Sequence, residues 1–360
     1  MPCDAATVTT KKATIKDVAR EAKVSVASVS RALNGQGGVT AETLDRIRVA
    51  AKRLRYIPDN AARSLITRRT HTIGALLPDL YGEFFSELIR GIDLAARARG
   101  LQLLVSSSHD GVEDAANAMR AMQGRVDGML ILSPWVDADF LQANLPEDVP
   151  TVLMNSPLDA DGWSVLNIDN RGGAYAMVQH LLTTAGHADV ALISGPGSNY
   201  DSQQRELGYR EAMATFASRV PLNIVQGNFT EQSGYEAGRA ILAQSPRPRA
   251  VFAANDMMAL GCLYAFKEAG LRVPQDIALA GFDDIPIARY LSPSLSTVSV
   301  HIAELGRSAL ERLAALLDGH AQSTTSDTLG CAVVIRETCG SSRDDASPKN
   351  PYQPKSPTDV

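Results

Sequence analysis

Between residues 14 and 57 apolar side chains recur at helical spacing in three short runs. Ile15, Val18, Ala19 and Ala22 fall at i, i+3, i+4 and i+7, one face of a short helix that Thr14 is placed to cap. After Lys23-Val24-Ser25 the pattern predicts a second helix over 26–33, with Val29 and Leu33 pointing inward. Asn34-Gly35-Gln36-Gly37-Gly38 reads as a loop. A third helix is expected to start at a capping Thr40, with Leu44, Ile47, Ala51 and Leu54 as its buried stripe. Two short helices joined by a tight turn and closed by a third make a helix-turn-helix unit. Pro58 then suits the first position of another helix, about two turns long over 59–66, a length that is marginal in isolation. Residues 67–71 read as a linker.

From Thr72 the period changes. Short apolar runs predict strands at 73–77, 101–106, 128–132, 151–154, 190–194, 250–253 and 277–280, alternating with amphipathic helices at 85–99, 113–123, 172–185 and around 205–216. Strands alternating with helices imply parallel sheets covered on both faces, and two rounds of the pattern imply two similar lobes. The first lobe is expected over about 72–169, the second over about 170–298, with the remainder to 338 crossing back between them. The break falls near residues 169–172. Residues 1–13 and 339–360 are expected to be disordered arms, the latter because a stretch rich in Pro and Ser cannot bury a core.

Charge sharpens this division. The whole chain of 360 residues carries −5, yet residues 1–71 hold 14 Lys and Arg against 6 Asp and Glu, a balance of +8. The rest is at −13. A basic head on an acidic body is the distribution expected when only the head meets phosphates. The start of the chain has no apolar run of the secretory kind, and no segment approaches 18 consecutive apolar residues, so a cytoplasmic protein without a membrane span is expected. Cys3, Cys262, Cys331 and Cys339 lie far apart without metal-ligand spacing and read as reduced thiols.

Candidate chemistry follows from the elements. In a helix-turn-helix unit the second helix enters the major groove. Its outward positions are Val26, Ala27 and Arg31: arginine can pair in bidentate fashion with guanine, and the small apolar groups can pack on a thymine methyl. Ser25, Ser28, Ser30, Asn34 and Thr40 are short polar groups suited to phosphate oxygens, which fix register. In the body no GxGxxG follows a strand, and there is no GxxxxGK[ST], Gly-x-Ser-x-Gly or HExxH. Gly195-Pro196-Gly197-Ser198 lacks a phosphate loop's lysine and reads as a structural turn. The chain is therefore not expected to be an enzyme.

Thr14-Ile15-Lys16-Asp17-Val18-Ala19, Val24-Ser25, Val29-Ser30-Arg31, Asn34, Tyr56-Ile57-Pro58 and Ala62-Arg63-Ser64-Leu65 together resemble the head-and-hinge signature of the lactose/galactose repressor (LacI/GalR) family. The match spans some fifty residues in fixed order. Lys23 stands in the turn where the family has Gly or Asn, and a left-handed backbone there costs a lysine about 1 kcal/mol. The resemblance implies a multidomain chain: an all-α helix-turn-helix head and a two-lobed α/β core like the periplasmic sugar-binding proteins. It implies that the hinge bearing Ala62 and Leu65 lies in the minor groove, with Leu65 wedged between base steps. It implies a homodimer on a near-palindromic double-stranded operator.

Ligands of such sheets bind at the carboxyl ends of strands, here between the lobes. Phe84 and Phe85 follow the first strand, and Asn155 ends the strand at 151–154. The resemblance adds Arg205 as a ligand-clamping arginine, Phe229 as a stacking aromatic, and Asn255 with Asp283 as hydrogen-bonding partners. Asp256 is read as the cap of the following helix. Donors and acceptors around a flat aromatic suit a polyol, so the expected effector is a sugar, with no cofactor or metal; a purine is the alternative. The rival readings are a sugar-binding protein without DNA function and a sugar-modifying enzyme.

Overall fold

A computed structural model describes residues 13–33, 38–56, 69–109, 111–133, 137–146, 149–158, 163–319 and 326–340. Asn34, Ala62 and Leu65, and with them the hinge helix, lie outside the described residues. The chain divides into two compact units at Thr70/His71.

The first unit holds helices α1 (Ile15–Ala22), α2 (Val26–Leu33) and α3 (Ala41–Arg53). Its small core is Val18, Ala19, Ala22, Val29, Ile47 and Ala50, with Ile15, Leu33, Ala51 and Leu54 partly buried around it. Ala50 thus joins the buried face of α3 beside Ile47, one position before the Ala51 that the sequence pattern favoured. The Asp17 carboxylate accepts from both the N–H and the hydroxyl of Thr14, fixing the start of α1. Lys23 ends α1 in the left-handed region at φ 54°, and the turn closes through Val24 N–H to the Ala19 carbonyl. The energetic cost expected of a lysine there is borne by this closed turn.

The second unit opens with strand β1 (Thr72–Leu77), followed by α4 (Glu83–Ala98), β2 (Gln102–Ser107), α5 (Val112–Met122), β3 (Gly128–Ile131), α6 (Ala138–Asn144), β4 (Thr151–Met154) and β5 (Ser164–Ile168). The chain then builds α7 (Asn170–Thr183), β6 (Val190–Ser194), α8 (Tyr200–Phe216), β7 (Asn223–Gln226), α9 (Glu231–Leu242), β8 (Ala250–Ala253), α10 (Asp256–Glu268), β9 (Ala278–Ala280) and β10 (Thr297–Ser299). It finishes with α11 (Ile302–Leu317), β11 (Ser326–Leu329), β12 (Ala332–Val334) and a 3-10 turn at Glu337–Cys339.

Two parallel sheets result, ordered β11-β5-β4-β3-β1-β2 and β7-β6-β8-β9. The runs β3, β4, β6 and β8 are buried at every position, as strands covered on both faces must be. One face of the first sheet packs on α5 and α6 through Leu76, Met119, Met122, Phe140 and Leu141. The other is covered by α4 and α11. These two helices meet at Gly91, where a Cβ would collide with the Ala303 carbonyl.

The chain passes between lobes three times: from β5 to α7, from β10 to α11, and from β11 to β12, which pairs antiparallel with β10. At the first and third crossings Asp169 N–H donates to the Leu329 carbonyl, and Cys331 Sγ donates to the Asp169 carbonyl. One expectation needs correction here. Cys339 was expected to open a disordered tail, but it is fully buried and its Sγ lies 3.6 Å from His180 Nε2. The preceding Thr338 hydroxyl accepts from Ser296 N–H, tying this end into the second lobe.

Candidate functional site

On the head, helix α2 presents Val26, Ala27 and Arg31 to solvent while Val29 is buried beneath them. Val26 is 41% exposed. Ser25 Oγ accepts from Ser28 N–H and so caps α2, and Thr40 caps α3 by accepting from Thr43 N–H. Ser25 and Thr40 are exposed, and Ser28 and Ser30 are half-buried. The helix that carries the candidate base-reading side chains is therefore fixed at its start by one of the candidate phosphate-contacting ones.

In the core unit the carboxyl ends of the strands gather the candidate ligand residues. Arg205, on α8, is 3% exposed and has a partner for each nitrogen. Nε donates to Asn170 Oδ1 at 2.8 Å, Nη1 to the Ala254 carbonyl at 2.6 Å, and Nη2 lies 3.1 Å from Asp283 Oδ1. Its guanidinium also stacks 3.9 Å over the Phe282 ring and stands 5.9 Å from that of Phe229. Asp201, one helical turn before Arg205, accepts from Asn170 Nδ2 and from Asn155 Nδ2. Asn155 follows β4 of the first lobe and Asp201 belongs to the second, so this bond spans the lobes. Tyr81 hydroxyl to Glu231 and Ile287 N–H to Glu83 span them as well.

Asn155, Arg205 and Asp283, predicted from the sequence, are thus joined in one buried network with Asn170 and Asp201, which the sequence reading missed. The i, i+4 spacing of Asp201 and Arg205 on one helix face was the available signal for the first. For Asn170 it was the position just past a lobe crossing. Phe229 lies half-buried with its ring against Gly195. Phe84 and Phe85 make contacts of another kind: both are half-buried and pack edge to face on each other at 5.4 Å.

The cap expected of Asp256 falls to Asn255. Asn255 caps α10 by accepting from Met258 N–H, and its amide donates to the Phe229 carbonyl, holding the loop that carries that ring. Asp256 is fully buried and cross-links the lobe instead, accepting from Ile285 N–H and the Thr297 hydroxyl. The reason is positional: the side chain that precedes the first helical residue is the one that reaches the free N–H groups.

Burial sets the electrostatics. It raises the Asp283 carboxyl to about 7 despite the opposing charge of Arg205. Burial likewise pushes Asp201 up, and Asp256 well up with Asp283 adding repulsion. Asn155 Oδ1 and Asp283 Oδ1 are buried without a hydrogen-bond partner, the latter within ion-pair distance of Arg205 but not aligned for a hydrogen bond. Asn155, Phe229 and Asp283 also share positive φ, at 49°, 71° and 115°. Among the described residues no cluster of His, Cys, Asp or Glu could hold a metal ion, and no helix is long and apolar enough to cross a membrane.

Comparison with known proteins fits both units. Residues 14–59 match the model for bacterial regulatory proteins of the lacI family, and residues 178–339 match a periplasmic binding protein-like domain. The ribose operon repressor of Escherichia coli (strain K12) is 37% identical over 84% of this chain and 92% of its own. The HTH-type transcriptional repressor PurR of Erwinia tasmaniensis is 36% identical over 84% and 89%. Among solved structures, the Lac repressor dimer bound to operator and the anti-inducer ONPF superposes with a TM-score of 0.82 at 28% identity, covering 91% of this chain and 99% of that one. With head and core both matched and more than a third of positions identical across most of the relatives' length, this chain belongs to the lacI family of DNA-binding bacterial regulatory proteins.

Proposed function

We propose that this protein is a repressor of sugar-utilisation genes that binds a near-palindromic operator as a homodimer and takes a sugar between its lobes as effector. The observation that carries the sugar reading is the buried network of Asn155, Asp201, Arg205 and Asp283 beside the Phe229 ring, which offers acceptors, a cation and a flat apolar face together. Hydroxyl groups on an otherwise apolar ring need that combination. The likeness to a ribose operon repressor and to an operator-bound dimer supports both halves of the proposal. Three chain crossings join the lobes, so a ligand bound by both alters their angle, and effector and operator affinities become coupled reciprocally.

The test is fluorescence anisotropy on operator fragments selected from host genomic DNA, repeated across a panel of mono- and disaccharides. The proposal expects one sugar to shift operator affinity about tenfold or more, a coupling within the usual range. Fragment binding that no sugar alters, but that hypoxanthine or guanine does, would replace the sugar with a purine. The likeness to PurR and the stacking surface of Phe229 favour that second reading.

A further inference from the structure

Resting on the cleft assignment above, we infer that this cleft admits uncharged, hydrogen-donating ligands and refuses anions, so that a free sugar binds and its phosphate ester does not, with Asp201 setting the discrimination.

The argument begins with charge. Asp283 is buried and Asp201 half-buried, and the cation that offsets them is Arg205. Every nitrogen of Arg205 is already engaged by the protein. Behind Asp283 stands a further buried carboxyl, Asp256, close enough to repel it. Burial holds protons on these groups more tightly than usual. With Asp283 protonated, Asp201 still balances Arg205, and no surplus of positive charge meets an incoming phosphate. In a site this poorly solvated an unbalanced anion is costly, because Coulomb interactions grow as the effective dielectric falls.

Hydrogen-bonding capacity points the same way. Asn155 Oδ1 is buried without a hydrogen-bond partner, and an amide oxygen only accepts. Both carboxylate oxygens of Asp201 accept one bond each, from Asn155 and Asn170, and retain further lone pairs. A ligand that satisfies this set must donate. Hydroxyl groups do so; a phosphate dianion has no proton to give. Asp201 also receives one of the bonds that span the lobes, so repulsion at Asp201 would weaken a contact through which the lobes meet.

The experiment is isothermal calorimetry on the full chain with D-ribose, D-glucose, D-fructose and D-galactose, each paired with its own phosphate ester, and with hypoxanthine and guanine. For any sugar that binds, its ester is expected to bind about 100-fold more weakly or not at all. An ester that binds as tightly as its parent sugar, or the only response coming from an ester, overturns the inference. A response to a purine alone would defeat the sugar reading while leaving the exclusion of anions standing. Asp201→Asn removes the charge and keeps the shape, and is expected to shrink the sugar-to-ester ratio to below about tenfold. An unchanged ratio in that variant removes Asp201 from the role, and the comparison of sugar with ester in the unaltered protein does not depend on the variant folding.

Discussion

The ligand-free core should lose stability as the pH rises from 5 to 8, and Asp283 should account for much of the loss. The Asp283 carboxyl titrates at about 7 in the folded protein against 3.8 ordinarily, because it is buried. Between those values the folded state keeps a proton that the unfolded chain has released. Unfolding therefore releases that proton, and stability falls as pH rises through the window, reaching its full penalty above pH 7. A shift of roughly three units amounts to about 4 kcal/mol in all, of which about 3 kcal/mol is incurred between pH 5 and pH 8. Asp201 and Asp256, also raised by burial, add in the same direction. His187 opposes it: its imidazole is held below its usual value by burial, so its contribution improves as pH rises towards 6.5. Asp283→Asn isolates one group among these. The variant carries a neutral side chain at every pH, so its pH slope should be flatter than that of the parent. Urea unfolding at pH 5, 6, 7 and 8 and constant ionic strength, followed by tryptophan fluorescence, reads the core, since Trp163 packs against it and the first 70 residues hold no tryptophan. Parallel slopes for the two proteins would refute the reasoning.

Two further perturbations separate the units. Ile47→Ala empties the middle of the head's small core and should cost about 2–5 kcal/mol, enough to abolish operator binding by anisotropy while calorimetric effector affinity is retained; operator affinity equal to the parent's would show that the head tolerates the cavity. Gly91→Ala places a methyl against the Ala303 carbonyl where α4 and α11 touch, and should destabilise the core by about 1–3 kcal/mol in urea, a loss that would be absent if the helices could slide apart freely.

Interior strands that are continuous apolar runs were legible in the sequence, whereas β5, Ser-Val-Leu-Asn-Ile, was not. Thr151–Met154, Val190–Ser194 and Ala250–Ala253 coincide with their predicted bounds. Two edge strands carried no such signal: β7 is only partly buried, and β11, Ser-Asp-Thr-Leu, is mostly exposed. Helix starts were misplaced where a cap lies upstream of the apolar pattern. Helix α7 begins at Asn170 rather than 172 because Asp169 accepts from Gly172 N–H, and α8 begins at Tyr200 because Asn199 accepts from Ser202 N–H. The return of α11 and β11 to the first sheet, and of β12 to the second lobe, is a long-range choice. Local periodicity reports that a segment is amphipathic, not which sheet receives it.

The cleft divides along the same line. Arg205, Asp283 and Asn155 were visible as residue types at the ends of strands or in a motif, whereas Asn170 and Asp201 become partners only because β5 leads across to the second lobe and sets α7 beside α8. What no local reading could supply is the backbone. Asn155, Phe229 and Asp283 follow different strands, yet all three adopt positive φ, a conformation that costs a side chain other than glycine about 1–2 kcal/mol. Asparagine and aspartate visit that region more readily than most residues; phenylalanine does not. A chain selected for stability alone would place glycine at 229. Keeping a ring there, with its carbonyl held by Asn255 and its ring against Gly195 beside Arg205, makes sense when the ring is needed for contact with something other than the protein itself. Local rules are broken where the network is densest, which is where function is expected to override them.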